Sequence, residues 1–376
     1  MDGAALVGRE DELEQLVALV GRQPLITITG APGVGKSAVA RALADRLAAD
    51  DDLAMLWCHV ADLGHAQADR DPVAAMADHF GFGSVDALRS ALDGRRHLVV
   101  IDGCELGPVP VADVADGLLD ERPDLRIVAT SRRPLGSRRE YLWVLPPLAV
   151  PSENPADPTA LAENPAVRLY LERSASAGSP TLDAQVDAIA TLVRELDGLP
   201  LGIELAAARS RTLGPVELLD RIDQQLDLLR AGSGARRTAS LRAALDVAYA
   251  QLDPDERSLL RSLSVFRGSI AGDLVHQICS RDDHDEIDTA DLLAGLVDAS
   301  LVQAEPSPTG AMRYRLLNVV RRYAADELDA AGETNAVQER CVSRLAELAD
   351  SFVAAALDGW SDELVARMLG GFHTLV

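Results

Sequence analysis

The sequence contains one lysine. Of its 36 Lys and Arg residues 35 are arginine, and the exception is Lys36. A chain so short of lysine keeps one where the planar fork of arginine does not substitute, so the surroundings of Lys36 are the first to read. Cysteine is also sparse. Cys58, Cys104, Cys279 and Cys341 lie far apart and form no Cys-x-x-Cys pair, which argues against a zinc site or a disulfide framework and leaves reduced core thiols. No apolar run approaches the roughly 18 residues of a membrane span. Residues 1–10 show no basic region followed by an apolar stretch, so no secretory signal is expected and the expected location is cytoplasmic. Positive charge is short as well: 36 basic against 59 acidic residues leave −23, a field that repels phosphate backbones and argues against a DNA-coating protein.

What is present is an ordinary globular composition, 48% hydrophobic and 25% charged over 376 residues. At about 150 residues per domain this makes two or three domains, each large enough for its own core.

Lys36 lies in Gly30-Ala31-Pro32-Gly33-Val34-Gly35-Lys36-Ser37, a match to Gly-x-x-x-x-Gly-Lys-Ser/Thr. The β-branched run Leu25–Thr29 precedes it, and Val39, Leu43 and Leu47 follow at helical spacing, so the strand, loop and helix context is met. Glycines there let the N–H groups from Gly30 to Ala38, apart from Pro32, which has none, turn inward around phosphate oxygens, and the helix N-terminus adds its positive dipole end. Lys36 then reaches the β and γ phosphates of a bound nucleotide as a compact charge, and the Ser37 hydroxyl is placed for Mg²⁺. A second acid on the metal side is expected at the end of a buried parallel strand. His97-Leu98-Val99-Val100-Ile101-Asp102 supplies it in Asp102. Gly103 and Cys104 intervene before the next acid, Glu105, which puts fast hydrolysis in doubt.

Two more strands, Leu125–Thr130 and Tyr141–Leu145, run into Ser131-Arg132-Arg133 and Pro146-Pro147, and Met55–Val60 makes a fifth. Five strands alternating with helical patterns predict a parallel sheet, an α/β P-loop nucleoside-triphosphatase fold. Arg132, at the strand edge where ligands sit in open α/β sheets, is a candidate γ-phosphate sensor. Six prolines between 146 and 165 mark a boundary, and the pattern beyond is helical up to a second hinge at Gly232-Ser233-Gly234. Asp253-Pro254-Asp255-Glu256 is an N-cap with a reciprocal Glu. A helix over 289–300, a hairpin from Leu301–Ala304 and Met312–Leu317, and a helix over 319–331 then describe a winged helix. Its candidate wing carries only Arg313 and Arg315 beside the acidic run 282–286, so packing is preferred to DNA reading. The expected domains are thus 1–148, nucleotide-binding; 149–232, all-helical; 233–332, winged helix; and 333–376, the start of a C-terminal helical region.

Taken in order, Leu6-Val7-Gly8-Arg9-Glu10, the phosphate loop, Val99–Glu105, Ala129-Thr130-Ser131-Arg132, Gly198-Leu199-Pro200-Leu201 with Glu204–Ala207, and Tyr314–Leu317 before Val320–Ala324 resemble the signal-transducing ATPases called STAND. More narrowly they resemble the NB-ARC-like modules of actinobacterial regulators of the LuxR and SARP type. That resemblance implies three domains closing over ADP and opening when ATP replaces it, with Val7 and Arg9 near adenine and ribose, Arg132 as first phosphate sensor and Pro200 packed on the base. One departure stands out: the Met-His-Asp motif of related proteins is Leu316-Leu317-Asn318 here. The family adds an effector and a repeat-array sensor, so a protein partner or further domains of the same protein are expected, with a nucleotide-dependent oligomer as an option. The uncapped end, Phe372–Val376, fits a piece of a longer protein or the first helices of such an array. Three classes stay open: a nucleotide-operated switch with at most weak ATPase activity, a constitutively turning-over ATPase, and a winged-helix DNA binder stabilised by nucleotide.

Overall fold

A computed structural model of the protein describes residues 6–48, 52–60, 72–82, 84–92, 96–106, 111–152, 158–178, 185–222, 240–280, 284–307 and 310–358. The chain divides into two compact units, the first made of Met1–Ala149, Glu163–Leu169 and Leu199–Leu201, the second of Val150–Ala162, Tyr170–Gly198 and Gly202–Val376.

The first unit opens with α1 (Glu10–Val20), β1 (Leu25–Thr29), α2 (Lys36–Leu47) and β2 (Leu53–His59). It continues through α3 (Pro72–His79), α4 (Val85–Ala91), β3 (Arg96–Asp102), α5 (Val111–Glu121), β4 (Arg126–Thr130) and β5 (Glu140–Val144). All five strands are parallel, in the order β2-β3-β4-β1-β5, and β1 is buried along its whole length, as an apolar run covered on both faces requires. Val99, Ile101, Ile127 and Ala129 point to the side packed by α3, α4 and α5. The alternate residues face the side where α1 and α2 lie, with Leu16, Val39 and Leu43 buried. Register pairs Ile28 with Thr130 and His59 with Asp102. The ends of four strands therefore bring their last polar residues to one edge. The expected parallel sheet is the one found, each strand within two residues of its expected bounds.

The second unit begins with α6 (Pro158–Glu163) and α7 (Pro165–Ser176), whose early residues count with the first, then α8 (Val186–Glu195), α9 (Pro200–Arg209) and α10 (Pro215–Ile222). Ile189, Leu192 and Val193 of α8 are buried, on the stripe its 3.6-residue period predicts. The helix ends where Asp197 and Gly198 turn left-handed, at φ 53° and 65°, with their N–H groups returning to Arg194 and Val193. The expected hinge at 232–234 lies outside the described residues, as do 153–157 of the proline segment and 359–376 of the C-terminal region.

After α11 (Leu241–Ala250) comes the winged helix, which comprises α12 (Pro254–Leu263), β6 (Ile270–Ala271), α13 (Gly272–Cys279), α14 (Glu286–Asp298), β7 (Gln303–Pro306), β8 (Met312–Arg315) and α15 (Asn318–Ala330). The long α16 (Thr334–Asp358) follows. The reciprocal cap read at Asp253 and Glu256 is present. Its counterpart at Asp285 and Asp288 starts α14 three residues before the expected Thr289, because the acidic run serves as a cap. The hairpin also shifts: Ser300 turns left-handed at φ 56°, and Leu301 and Val302 bond back to Leu296, so β7 begins at Gln303. Strand β6, two residues long, pairs antiparallel to β8 and makes the sheet three-stranded. Among the described residues no helix is long and apolar enough to cross a membrane.

Val319, at the start of α15, donates its N–H to Asp197 Oδ2 at 3.1 Å. Burial pushes the Asp197 carboxyl from 3.8 up to about 7, opposed by that bond and by Arg315 and Arg322. A carboxyl raised on folding contributes stability that is fully present below its unfolded value and is lost as pH rises through the folded one. Asp197→Asn keeps an oxygen acceptor without the charge, so its denaturant midpoint should gain on the wild type as pH is raised from about 5 to about 8. An offset that does not change over that range would contradict this account.

Candidate nucleotide site

The phosphate loop connects β1 to α2 at the C-terminal edge of the sheet. Gly30 sits at φ 146°, and a Cβ there would lie 2.6 Å from the Leu145 carbonyl oxygen, so the residue leaving β1 has no room for a side chain. Ala31, Pro32 and Val34 are buried and fix the loop from beneath, with Val34 N–H bonded to Ala31 O at 3.2 Å. Gly33 is partly exposed, Gly35 caps the helix, and Ser37 and Ala38 are exposed in its first turn. No acid stands in that turn, so its free N–H groups and dipole end can receive an anion.

Lys36 Nζ donates to Gly30 O at 2.7 Å and Ala31 O at 3.3 Å, arched over the loop. Desolvation pulls its ammonium down to about 8; Glu105 and Asp102 oppose this and Arg132 adds to it. An anion bound beside it would favour the charged form.

Asp102 Oδ1 accepts two short bonds, from Ser37 Oγ and from Thr130 Oγ1, each 2.6 Å. Gly103 N–H in turn donates to Thr130 Oγ1 at 2.9 Å. A hydroxyl and a carboxylate in contact are hard oxygen donors that suit Mg²⁺, which is bound through one or two carboxylates and completes its shell with water and phosphate oxygens. In the sequence Thr130 stands only as part of the Ala129–Arg132 motif; its signal is its place at a strand end beside Asp102. His59, which no ligand spacing singled out, stands with Nε2 3.8 Å from Asp102 Oδ2.

Arg132 is 5% exposed, with Nε 3.3 Å from Glu105 Oε1, so the guanidinium faces the acid on the short turn Cys104–Leu106. Burial lowers the Arg132 pKa and Glu105 opposes that shift. Glu105 therefore sits within the site but is engaged by an arginine.

Three outlying candidates are placed in the first unit too. Val7 is buried. Arg9, at the N-cap of α1, is 2% exposed and donates to Glu12 Oε1 and to the Pro146 carbonyl, both at 2.7 Å. Its guanidinium thus ties the N-terminal segment to the end of β5. Leu201 N–H bonds to Gly33 O at 3.1 Å, and a Cβ on Gly35 would lie 4.0 Å from Pro200 Cγ. The Leu199–Leu201 segment accordingly rests against the phosphate loop.

Comparison with known proteins agrees with this picture. The pattern of the AAA ATPase domain family matches residues 5–264, and that of a winged helix-turn-helix domain matches 252–329. A Mycobacterium tuberculosis protein with the provisional name HTH-type transcriptional regulator is 34% identical over 355 residues, covering 93% of this chain and 38% of its own length. The chain thus spans well under half of that relative. An uncharacterized protein of the same organism is 32% identical over 349 residues, covering 89% of this chain and 84% of its own. Among solved structures, a Walker-type ATPase of Pyrococcus abyssi superposes with a TM-score of 0.51 at 13% identity, over 85% of this chain and 96% of that one, a likeness of fold.

Thr130→Val removes the hydroxyl that donates to Asp102 and accepts from Gly103. It should cost about 1–3 kcal/mol in denaturant unfolding, the scale of leaving buried polar groups unsatisfied. An unchanged midpoint would mean that Asp102 is held by Ser37 alone.

Proposed function

The chain belongs to the AAA ATPase domain family, and from that premise we propose that it is an ADP/ATP-binding switch of a STAND-type signalling or transcriptional regulator, closed with ADP and opened by ATP, with slow or no intrinsic hydrolysis. The observation that carries this reading is the bond from Leu201 N–H to Gly33 O. The segment that continues as α9 touches the loop that receives the phosphates, so a change in what the loop holds bears directly on α9. A ligand shifts such an equilibrium only through different affinities for its two states, which ADP and ATP provide through the γ phosphate.

In this proposal Gly30 to Ala38 cradle the phosphates and Lys36 supplies the compact charge to the β and γ groups. Ser37 and Asp102 hold Mg²⁺, which when bound neutralises phosphate charge. Arg132 senses the terminal phosphate, released from or shared with Glu105. Val7 and Pro200 lie by the base; Arg9, whose guanidinium is committed to Glu12 and Pro146, serves the ribose by fixing the backbone of its segment. Slow hydrolysis is supported by local chemistry: Gly103 stands where a water-polarising acid would follow Asp102, and its N–H is bonded to Thr130. Without a positioned base a factor of typically 10²–10⁴ is lost. The hinges are placed at 146–165 and 232–234, the latter outside the described residues. A cytoplasmic location, and a protein partner or further domains carrying the stimulus and output, complete the reading.

A second reading, DNA contact by the winged helix, is favoured by the family pattern over 252–329 and by the names of the relatives. Side chains weigh against it for this chain. The second helix of a helix-turn-helix enters the major groove. Here that helix, α14, exposes Glu286, Asp288, Asp291 and Asp298 and contains no basic residue. On the wing, Arg313 bonds to Ser269 and Arg315 to Glu305 Oε1 at 3.0 Å. We therefore hold that direct DNA binding belongs to another segment or partner.

Lys36→Ala should weaken ADP binding about tenfold or more, about 1.4 kcal/mol, in calorimetry. Equal affinity would remove the phosphate-loop assignment. Steady-state turnover of the wild-type chain should be slow, and rapid multiple turnover without a partner would instead favour the working ATPase. No particular duplex should be shifted at sub-micromolar protein, and a salt-sensitive, sequence-specific shift would support the DNA reading.

A further inference from the structure

The end of α8 holds the start of α15 at two points. Asp197 Oδ2 accepts the Val319 N–H at 3.1 Å, where the helix dipole favours a negative group. One turn further along α15, Arg322, 8% exposed, donates from Nη1 to the Glu195 carbonyl at 3.2 Å and from Nη2 to the Glu195 carboxylate. The two acceptor residues flank Leu196, which is buried, so both ties spring from one short, packed turn. That turn is stiff: Asp197 and Gly198 are both left-handed, and both their N–H groups are bonded back into α8. Four residues after Asp197 comes Leu201, whose N–H is bonded to Gly33 of the phosphate loop. Leu316 and Leu317, just before α15, are 7% and 3% exposed, so the residues leading into the held helix are apolar and packed.

We propose that Glu195, Asp197 and Arg322 form a latch that carries the state of the phosphate loop to the winged helix. A displacement of Leu199–Leu201 moves the rigid Leu196–Gly198 turn, and that turn grips α15 through one helix cap and one ion pair. The proposal rests on the switch reading above and names how that switch is transmitted. Asp197 and Arg322 are positioning residues in it; neither is assigned to the nucleotide.

The test is hydrogen exchange on the full chain, with ADP and with a non-hydrolysable ATP analogue, read at the first-turn amides of α15. In the wild type these amides should differ between the two nucleotides by about fivefold or more. Asp197→Ala and Arg322→Met should each shrink that difference below about twofold while the ADP affinity by calorimetry stays within about twofold. Asp197→Asn, which keeps an oxygen acceptor and tolerates the left-handed backbone, should retain the difference. If Asp197→Ala does not fold, Arg322→Met, which preserves the aliphatic stem, decides alone. A difference kept in full by Arg322→Met, or by both variants, overturns the latch and leaves the switch standing. No difference anywhere in the wild-type chain overturns the switch itself, and the latch with it.

Discussion

One carboxylate oxygen organises the first unit. Asp102 Oδ1 accepts hydrogen bonds from Ser37, in the first turn of α2, and from Thr130, at the end of β4, each at 2.6 Å. Those bonds exist only because β1, β3 and β4 are parallel and adjacent, with Ile101 in register with Ala129 and Ile28 with Thr130. A slip of one residue in any pairing would turn one partner to the opposite face of the sheet. The phosphate loop, its lysine and the candidate sensor arginine are all positioned from that edge. A hydroxyl-bonded carboxylate is also what a hard cation needs, so the interaction that locks the strand ends is the one a metal would take over.

The same edge receives segments distant in sequence. Leu201 bonds to Gly33 and the Leu145 carbonyl lies against Gly30, so the start of α9 and the end of β5 brace the loop, and Arg9 ties the chain before α1 to the Pro146 carbonyl.

Charge is distributed to match. The net of −23 falls partly on α14, whose exposed acids stand where a DNA-reading helix presents basic or amide groups, while the wing arginines are bonded to Ser269 and Glu305. The winged-helix arrangement is held by buried residues such as Leu259, Leu293 and Val320, and the exposed face of α14 is acidic.

How much was legible in the residues follows from how far apart the interacting groups lie. The phosphate loop, its flanking strand and helix, the five strands and the cap at Asp253 were readable because each is decided within about ten neighbouring residues by glycine, periodicity and capping chemistry. Asp102 was readable as an acid closing an apolar run. The donors to it were not, since Thr130 is 28 residues away and becomes a partner only through strand order. Strand β6 escaped because two residues carry no periodicity and pair only once β8 is in place. The Asp197 bond to Val319 spans 122 residues and depends on one left-handed turn meeting one helix terminus. Sequence alone determined which local elements form and which residues can bear phosphate chemistry, because those follow from neighbours along the chain. Tertiary structure alone decided which side chains hold one another, because hydrogen bonds require a separation of about 3 Å that only packing sets.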